Sequence, residues 1–303
     1  MQHAQEHEAI LKWLTPIEYP SQQRDIISRR QKGTGQWFLN SEEFRAWVNR
    51  SRLTLFCPGI PGVGKTMMSS IIVDHLQTHF ANNADVGIAY VYCSYQPQQE
   101  QRPEDFLSAL LKQLIQPQPT VPRDVKALYE NHRPKGSRPS SDEVAKVLHV
   151  IVRLYSRVFI IVDALDEYHV SDIDGHQQLL SEMFNLLDTN QVNLFATSRP
   201  LAEIISQFDG CLRKEIRAHN EDILRYLNGR IPQLLQSKIF SHPDYPDVCN
   251  LIRSNIMRAA DGMYVYLSLR WNSAKSRTLV FFLRGFIWTP LLANPRWGTL
   301  SKL

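Results

Sequence analysis

The residue types with the clearest chemistry form one run of eight: Gly59, Ile60, Pro61, Gly62, Val63, Gly64, Lys65 and Thr66. The run fits the pattern G-x-x-x-x-G-K-[ST] at every fixed position. Glycine lets backbone N–H groups come close to a phosphate chain. Lys65 supplies a mobile positive charge for the outer phosphates, and the Thr66 hydroxyl is a ligand for Mg²⁺. The run therefore predicts a site for ATP or GTP with Mg²⁺.

The flanking sequence supplies the elements that this loop requires. Residues 53–57 are apolar and β-prone, and residues 67–80 carry apolar side chains at helical spacing. Strand, glycine loop and helix are the context in which the pattern binds phosphate. An ordinary Gly/Pro turn between a strand and a helix is the alternative, which the flanking pattern disfavours.

A cluster of acids follows a second apolar run. Residues 158–162 lead directly into Asp163, and Asp166 and Glu167 come shortly after. Parallel sheets bind ligands at the carboxyl ends of their strands, where an acid can hold Mg²⁺. We assign Asp163 to Mg²⁺ and Asp166 to activation of the attacking water, with Glu167 as second choice. The alternative is a capping cluster for the next helix.

A third apolar run, residues 193–197, ends at Ser198 and Arg199. An arginine at a neighbouring strand end can sense the γ-phosphate or stabilise charge during phosphate transfer. Alternatively, Arg199 is a surface residue before a proline-started helix. The predicted catalytic set is thus Lys65, Asp166, Glu167 and Arg199.

Strands alternate with helices along this part of the chain, which predicts an α/β fold with a mainly parallel sheet in a three-layer α/β/α arrangement. An edge strand is predicted at 212–216. Helix caps are predicted at Asn40 or Ser41, at Ser141 and at Asn220. The aromatic side chains of Trp37, Phe44 and Trp47 are predicted to anchor the N-terminal region in the core, and residues 33–35 predict a turn or, less favoured, a second nucleotide contact.

Composition limits the remaining function classes. The chain has 303 residues, 43% apolar and 21% charged, which suits one large domain or a domain with an appendage. A net charge of +4 gives no field that points to nucleic acid, so we expect no nucleic-acid partner. The four cysteines (Cys57, Cys93, Cys211 and Cys249) lie far apart in the sequence, so we expect reduced thiols. His75 and His79 lie four residues apart without an evident acidic third ligand, so we expect them to be surface residues rather than metal ligands.

Neither end of the chain predicts a membrane anchor. The first eight residues are polar and lack the apolar core of a signal peptide. Residues 279–292 are apolar but short, and they contain Arg284 and Pro290. We expect a cytoplasmic protein without a membrane partner. The final residues, Ser301, Lys302 and Leu303, match a peroxisomal address, which is the alternative location.

The segments GIPGVGKT, VFIIVDALDEY and NLFATSRP together resemble the NACHT class of STAND P-loop NTPases, which act in signal transduction. The similarity is to the fungal, nephrocystin-like branch, whose members often carry C-terminal ankyrin or WD repeats, and it covers about residues 8–266. It implies a P-loop NTPase fold and an ATP- or GTP-driven switch, in which slow hydrolysis drives self-association with another copy or a related NACHT protein. By family role, the loop Gly59–Thr66 binds phosphate, Asp163 binds Mg²⁺ and Arg199 is the first sensor.

The resemblance also suggests a domain plan: an N-terminal helical arm at 1–50, the nucleotide-binding domain at 51–218, a helical subdomain at 219–266 and an atypical tail at 267–303. The chain departs from the family because no effector domain fits in the arm, no repeats follow, and the winged-helix histidine has no evident counterpart. We therefore expect a truncated, frameshifted or intron-read gene product.

Two other functions fit parts of the pattern. A small-molecule P-loop kinase shares the loop but needs an acceptor pocket and a lid. A truncated remnant would bind nucleotide or a full-length partner without signalling alone. Base contacts lie outside the phosphate loop, so the pattern fits ATP and GTP equally.

Overall fold

The computed structural model describes residues 2–93, 103–168 and 173–235, and within them the chain forms five β-strands and eleven α-helices. The strands are β1 (Thr54–Pro58), β2 (Val86–Tyr92), β3 (Arg157–Asp163), β4 (Val192–Ser198) and β5 (Leu212–Arg213). The helices are α1 (Gln2–Leu14), α2 (Tyr19–Ser28), α3 (Gln36–Leu39), α4 (Glu42–Asn49), α5 (Lys65–His79), α6 (Pro103–Ile115), α7 (Arg123–His132), α8 (Ser141–Val152), α9 (Ile173–Thr189), α10 (Ala202–Ile205) and α11 (Asn220–Leu235).

All five strands are parallel and lie in the order β2-β3-β4-β1-β5. Strand β4 comes late in the chain and pairs with β1 on one side and β3 on the other. Every residue of β4 is buried, and so is every residue of β3 after the first. Alternate side chains of a strand face opposite sides, so helices cover both faces of the sheet. The predicted three-layer α/β/α fold is confirmed.

Most element ends agree with the prediction, and three differ. The Ser41 hydroxyl caps α4 by accepting the Phe44 N–H at 3.3 Å, as predicted. The prediction for α8 was wrong: Ser140 is its cap, because Ser140 rather than Ser141 stands three residues before Glu143 and forms a capping box with it. Strand β5 ends at Arg213, earlier than predicted, and Asn220 is the first residue of α11 rather than its cap.

Aromatic side chains attach the N-terminal region to the sheet. Phe44 and Trp47 are buried as predicted, whereas Trp37 is half-buried. Phe38, its neighbour on the short helix α3, lies in the core instead and meets the Phe195 ring edge-on at 6.1 Å between centroids. The region from α3 to α4 therefore packs directly on β4.

One buried side chain fixes the chain between α4 and β1. Asn193, fully buried in β4, donates from Nδ2 to the carbonyl of Trp47 and, at 2.6 Å, to that of Arg50. Its Oδ1 accepts the N–H of Leu53 at 3.4 Å. These bonds satisfy backbone groups that would otherwise lose their water partners on burial.

Two neighbouring side chains make bonds of the same kind. Trp47 Nε1 donates to the Leu194 carbonyl at 2.9 Å, and Arg157 Nη1 donates to the Val48 carbonyl at 2.7 Å. Arg157 begins β3, and Asn193 and Leu194 lie near the start of β4. We call this end of the two strands the amino edge of the sheet.

Contacts divide the chain into two compact units. The first, residues 1–29, 37–59 and 65–215, contains the sheet; the second comprises residues 30–36, 60–64 and the chain from 216 on, described as far as Leu235. Within the second unit, the Gly35 N–H donates to Asp222 Oδ2 at 2.8 Å, and Arg225 Nη1 donates to the Gly33 carbonyl at 2.9 Å. Both glycines have positive φ, so residues 33–35 form a turn bonded to α11.

Cys57 in β1 and Cys93 after β2 are buried free thiols whose pKa values are raised by burial, and Cys211 is also free. Cys249 and the tail after residue 235 lie outside the described residues. In the described part of the chain, no three His, Cys, Asp or Glu side chains are grouped as a metal site, and no helix has the length and apolar character needed to cross a bilayer.

Candidate nucleotide-binding site

The predicted loop joins the end of β1 to the start of α5. The Gly59 N–H donates to the Ser198 carbonyl at 3.0 Å, which ties the loop's first residue to the end of β4. Gly62 and Gly64 have φ angles of 82° and 94°, the left-handed region that glycine adopts most readily. Helix α5 begins at Lys65. The predicted sequence of strand, loop and helix is therefore present at this point of the chain.

Lys65 folds back toward the beginning of the loop. Its Nζ donates to the Gly59 carbonyl at 2.8 Å. Burial lowers the pKa of Lys65 below its ordinary value of 10.5, and the carboxylates of Asp166 and Asp163 oppose that shift. The ammonium group thus lies within electrostatic reach of both acids that the sequence analysis selected.

Asp163 is the last residue of β3 and is buried among hydroxyl groups. Its Oδ1 accepts hydrogen bonds from Ser69 Oγ at 2.7 Å and Thr197 Oγ1 at 2.8 Å. Burial raises the pKa of Asp163 above 3.8, and these hydroxyl donors and Lys65 oppose the shift. The Thr66 side chain, which is the other predicted Mg²⁺ ligand, also opposes the rise in the pKa of Asp163 and so lies close to its carboxyl group.

This pair of oxygen donors fits Mg²⁺. The ion favours hard oxygen ligands and usually keeps several waters, with one or two carboxylates and substrate phosphates completing its shell. Thr66 supplies a hydroxyl and Asp163 a carboxylate, and Thr66 is the last residue of the phosphate-binding motif. A nucleotide-bound Mg²⁺ needs no larger set of protein ligands.

The chain turns sharply after Asp163. Ala164 has φ 54°, which is uncommon for a residue with a Cβ atom, and residues 165–167 form a single 3₁₀ turn. This turn brings Asp166 to the end of β4. Asp166 Oδ1 accepts the Arg199 N–H at 2.8 Å, and Asp166 Oδ2 lies 2.9 Å from Arg199 Nε.

Arg199 thus engages both carboxylate oxygens of Asp166, one through its backbone N–H and one through its guanidinium group. The Asp166 side chain is 3% exposed, whereas that of Arg199 is 48% exposed. Glu167 lies farther away, with Oε1 at 3.9 Å from Arg199 Nη2, and is 38% exposed. The carboxylate chosen first for water activation is therefore engaged by the predicted sensor arginine.

The strand order explains why these residues meet. Strand β4 lies between the strand that precedes the loop and the strand that ends in Asp163. The ends of β1, β3 and β4 are therefore adjacent, and we call this end the carboxyl edge. It brings together Lys65, Thr66, Asp163, Asp166 and Arg199 within the first unit; residues 60–64 belong by their contacts to the second unit.

Sequence reasoning missed two hydroxyl groups at this edge. Ser69 stands four residues after Lys65, on the same face of α5 one turn later, a spacing that was available as a signal. Thr197 was predicted only as the last residue of the third strand, and its bond to Asp163 depends on the pairing of strands that are distant in sequence.

Comparison with known proteins identifies a family. A family model described as nephrocystin 3, N-terminal, matches residues 33–199, more than half of the chain. A comparison with curated proteins finds no match.

Among solved structures, the chain is similar to domain III of the replication initiation protein DnaA from Thermotoga maritima, at 15% identity, a TM-score of 0.44, and coverage of 84% of this chain and 87% of that one. A Walker-type ATPase of Pyrococcus abyssi gives 14% identity, a TM-score of 0.45, and coverage of 84% and 75%. A DNA replication initiation factor gives 15% identity and a TM-score of 0.38. The match covers 66% of this chain and 52% of that chain, so this chain spans about half the length of that protein.

The matched region runs from the turn at Gly33 through the loop and the acids to Arg199 at the end of β4. It thus includes every predicted site residue. With its parallel sheet and its loop between β1 and α5, the chain has a P-loop NTPase fold and belongs to the nephrocystin 3 N-terminal family.

Proposed function

We propose that this chain is a nucleoside-triphosphate switch of the NACHT type. It binds ATP or GTP with Mg²⁺, hydrolyses the nucleotide slowly, and associates with further copies of itself or with a related NACHT protein according to the nucleotide bound. The observation that carries the proposal is the convergence at one sheet edge of a loop lysine, a buried acid held by two hydroxyl groups, and an arginine paired with a second acid.

Binding follows from the charges at this edge. The loop from Gly59 to Thr66 offers backbone N–H groups to the phosphates, and Lys65 adds a positive charge. Thr66 and Asp163 would hold Mg²⁺ through their oxygen atoms. The ion, when bound, neutralises phosphate charge. Removal of Lys65 would take away a positive charge that interacts with both Asp166 and Asp163.

The ion pair of Asp166 and Arg199 offers a reason for slow hydrolysis. Both carboxylate oxygens of Asp166 are engaged by Arg199, one by its N–H and one by its guanidinium. A carboxylate whose two oxygens are both engaged in this way is not free to orient a water molecule. A γ-phosphate carries more negative charge and competes for the guanidinium. We propose that this exchange frees Asp166 to orient and deprotonate water.

Turnover measurements distinguish the two candidate acids. We expect Asp166→Asn to lower the hydrolysis rate by about 100-fold or more while nucleotide affinity stays within about threefold, since a general base contributes to the chemical step. Glu167→Gln should change the rate by no more than about fivefold on the same reasoning. Asp124→Asn, an exposed acid on α7, is the matched control.

If Glu167→Gln greatly lowered the hydrolysis rate and Asp166→Asn did not, Glu167 rather than Asp166 would be the acid that activates water. A rate unchanged in both variants would show that the hydrolysis observed does not occur at this edge. Transfer of phosphate to an acceptor rather than to water would instead indicate a small-molecule kinase.

Sedimentation of the full chain with ATP, GTP, ADP or no nucleotide tests the switch itself. We expect a larger species with one nucleotide state and a smaller one with another. Binding without any change of assembly would favour the second candidate, a remnant that binds nucleotide without switching. The engaged state of Asp166 is the observation that favours this candidate.

Partners and location complete the proposal. We propose a cytoplasmic location, with the peroxisome as the alternative through Ser301, Lys302 and Leu303, which lie outside the described residues. Microscopy of a fusion that leaves the C-terminus free tests both. The expectation of no nucleic-acid partner is tested by gel shift with single- and double-stranded DNA, where a retarded band would reject it.

A further inference from the structure

Two buried hydroxyl groups share one oxygen of Asp163. Ser69 Oγ donates at 2.7 Å and Thr197 Oγ1 at 2.8 Å, both to Oδ1. All three residues are almost fully buried. Two donors from different elements on one oxygen fix the rotation of the carboxyl group. Turning the group would break both hydrogen bonds at a buried site, where water cannot replace them.

Thr197 makes a second bond that Ser69 does not. Its Oγ1 accepts the N–H of Ala164 at 2.8 Å. Ala164 follows Asp163 directly and has a left-handed φ of 54°, a conformation that a residue with a Cβ atom keeps only when its surroundings impose it. The Thr197 hydroxyl therefore ties the Asp163 carboxyl to the turn that carries Asp166.

Ser69 connects Asp163 to a different element. It lies on α5, where its hydroxyl also reaches the Lys65 carbonyl at 3.2 Å. The bond from Ser69 to Asp163 therefore connects helix α5 to the end of β3. Between them, Thr197 and Ser69 link Asp163 to β4 and to α5, the two elements that flank it at the carboxyl edge.

From this arrangement we infer that Thr197 and Ser69 are positioning residues for the magnesium carboxylate. Their hydroxyls orient Asp163 toward a nucleotide-bound Mg²⁺, and they act on the ion through Asp163 alone. The inference rests on the proposed nucleotide site and deepens it. Side chains that orient metal ligands typically change metal affinity by about 10- to 100-fold when they are removed.

The test separates Mg²⁺ binding from phosphate binding. A fluorescent ATP analogue is titrated into the full chain in EDTA to measure binding without metal. Mg²⁺ is then added, and the midpoint is the Mg²⁺ concentration that gives half of the metal-dependent increase in affinity for the analogue. We expect Thr197→Val to raise that midpoint about 10-fold or more, and Ser69→Ala to raise it less, because the Thr197 hydroxyl still bonds Oδ1. Affinity in EDTA should stay within about threefold of wild type in both variants.

A conservative variant and two matched controls exclude a merely structural effect. Thr197→Ser keeps the hydroxyl and should keep a midpoint close to that of wild type. Thr54→Val removes a buried hydroxyl at the start of β1, and Ser108→Ala removes a buried hydroxyl from α6. We expect both controls to leave the Mg²⁺ midpoint unchanged, even where thermal unfolding shows a loss of stability.

An unchanged midpoint in Thr197→Val and Ser69→Ala would overturn the inference, and so would equal shifts in the two controls. If Thr197→Val fails to fold, Ser69→Ala decides by the same criterion. A wild-type chain that binds no nucleotide with or without Mg²⁺ would overturn the proposed function and this inference together.

Discussion

The two ends of β3 and β4 use polar side chains in different ways. At the amino edge, Asn193 and Arg157 donate to backbone carbonyls of the segment that enters β1. At the carboxyl edge, Asp163 accepts from side-chain hydroxyls, and Asp166 pairs with the guanidinium of Arg199. The first set of partners is backbone, and the second is largely side chain.

This difference separates stability from ligand binding. A backbone carbonyl moves only if its element moves, so the amino-edge bonds fix the position of the segment before β1. The guanidinium group of Arg199 is half-exposed and can exchange Asp166 for phosphate oxygens at little structural cost. We therefore expect substitutions at the amino edge to lower the free energy of unfolding, and substitutions at the carboxyl edge to impair nucleotide chemistry.

The largest effect is expected for Asn193→Leu. The substitution leaves the carbonyls of Trp47 and Arg50 and the N–H of Leu53 without their side-chain partner. Buried groups that lose partners cost about 1–3 kcal/mol each, so we expect unfolding to become easier by about 3 kcal/mol in urea titrations. Nucleotide affinity of the folded protein should stay close to wild type.

Asn185→Leu, an exposed position on α9, is the control and should change the free energy of unfolding by less than about 0.5 kcal/mol. If Asn193→Leu instead weakened nucleotide binding at unchanged stability, the assignment of the amino edge to stability would be wrong.

Arg199→Gln tests the carboxyl edge. The Arg199 side chain is half-exposed, and in the variant Asp166 would keep the backbone N–H of residue 199 and the nearby charge of Lys65, so we expect a stability change below about 1 kcal/mol. The hydrolysis rate should fall by about 100-fold or more, because an arginine beside the γ-phosphate acts mainly on the transition state. Single-turnover hydrolysis and urea unfolding measure the two quantities on one preparation.

Arg157→Gln is the matched change at the opposite edge and has a smaller expected effect. The substitution removes the bond to the Val48 carbonyl and the contact with the Phe159 ring. We expect a loss of about 1.5 kcal/mol in the free energy of unfolding, typical of a hydrogen bond to a charged group, with hydrolysis unchanged. Similar profiles for Arg157→Gln and Arg199→Gln would remove the distinction between the two edges.

The smallest effect concerns pH at the amino edge. Nδ1 of His149 lies 3.1 Å from Nδ2 of Asn190, a residue just before β4. Burial lowers the pKa of His149 below 6.5. Glu182 opposes this shift, and Arg153 adds to it. Between the two pKa values the unfolded chain binds a proton that the folded chain does not, so stability is lost as pH falls through 6.5. Urea unfolding at several pH values should show a loss that His149→Gln diminishes. An equal loss in both proteins would assign it to other groups.

Local pattern was sufficient to predict the strand, loop and helix around residues 59–66 and the position of Asp163 at the end of β3, but not the end of β5. The loop motif is contiguous, and a buried strand is recognisable as an apolar run that ends at a polar residue. Adjacent candidates were harder to separate: Ser140 caps α8 because of Glu143, and Phe38 rather than Trp37 enters the core because of the phase of a four-residue helix.

Non-local pairing accounts for the rest. The position of β4 between β1 and β3 does not follow from periodicity, and it determines that Thr197 bonds to Asp163 and Arg199 to Asp166. In the sequence, Asn193 is only the first residue of a predicted buried strand. Its role depends on hydrogen-bond partners that lie more than 130 residues earlier in the chain. Bonds between distant elements are therefore what the structure adds.

The most direct test of the central claim is a titration of a fluorescent ATP analogue with Mg²⁺ into the wild type, Lys65→Ala and Lys146→Ala. Lys146 is an exposed lysine on α8 and serves as the control. We predict saturable binding by the wild type and Lys146→Ala, and binding at least about 100-fold weaker by Lys65→Ala, because Lys65 supplies the loop's positive charge to the phosphates. All three proteins should unfold at similar urea concentrations. Equal binding by wild type and Lys65→Ala would show that nucleotide does not bind at the carboxyl edge, and would contradict the account.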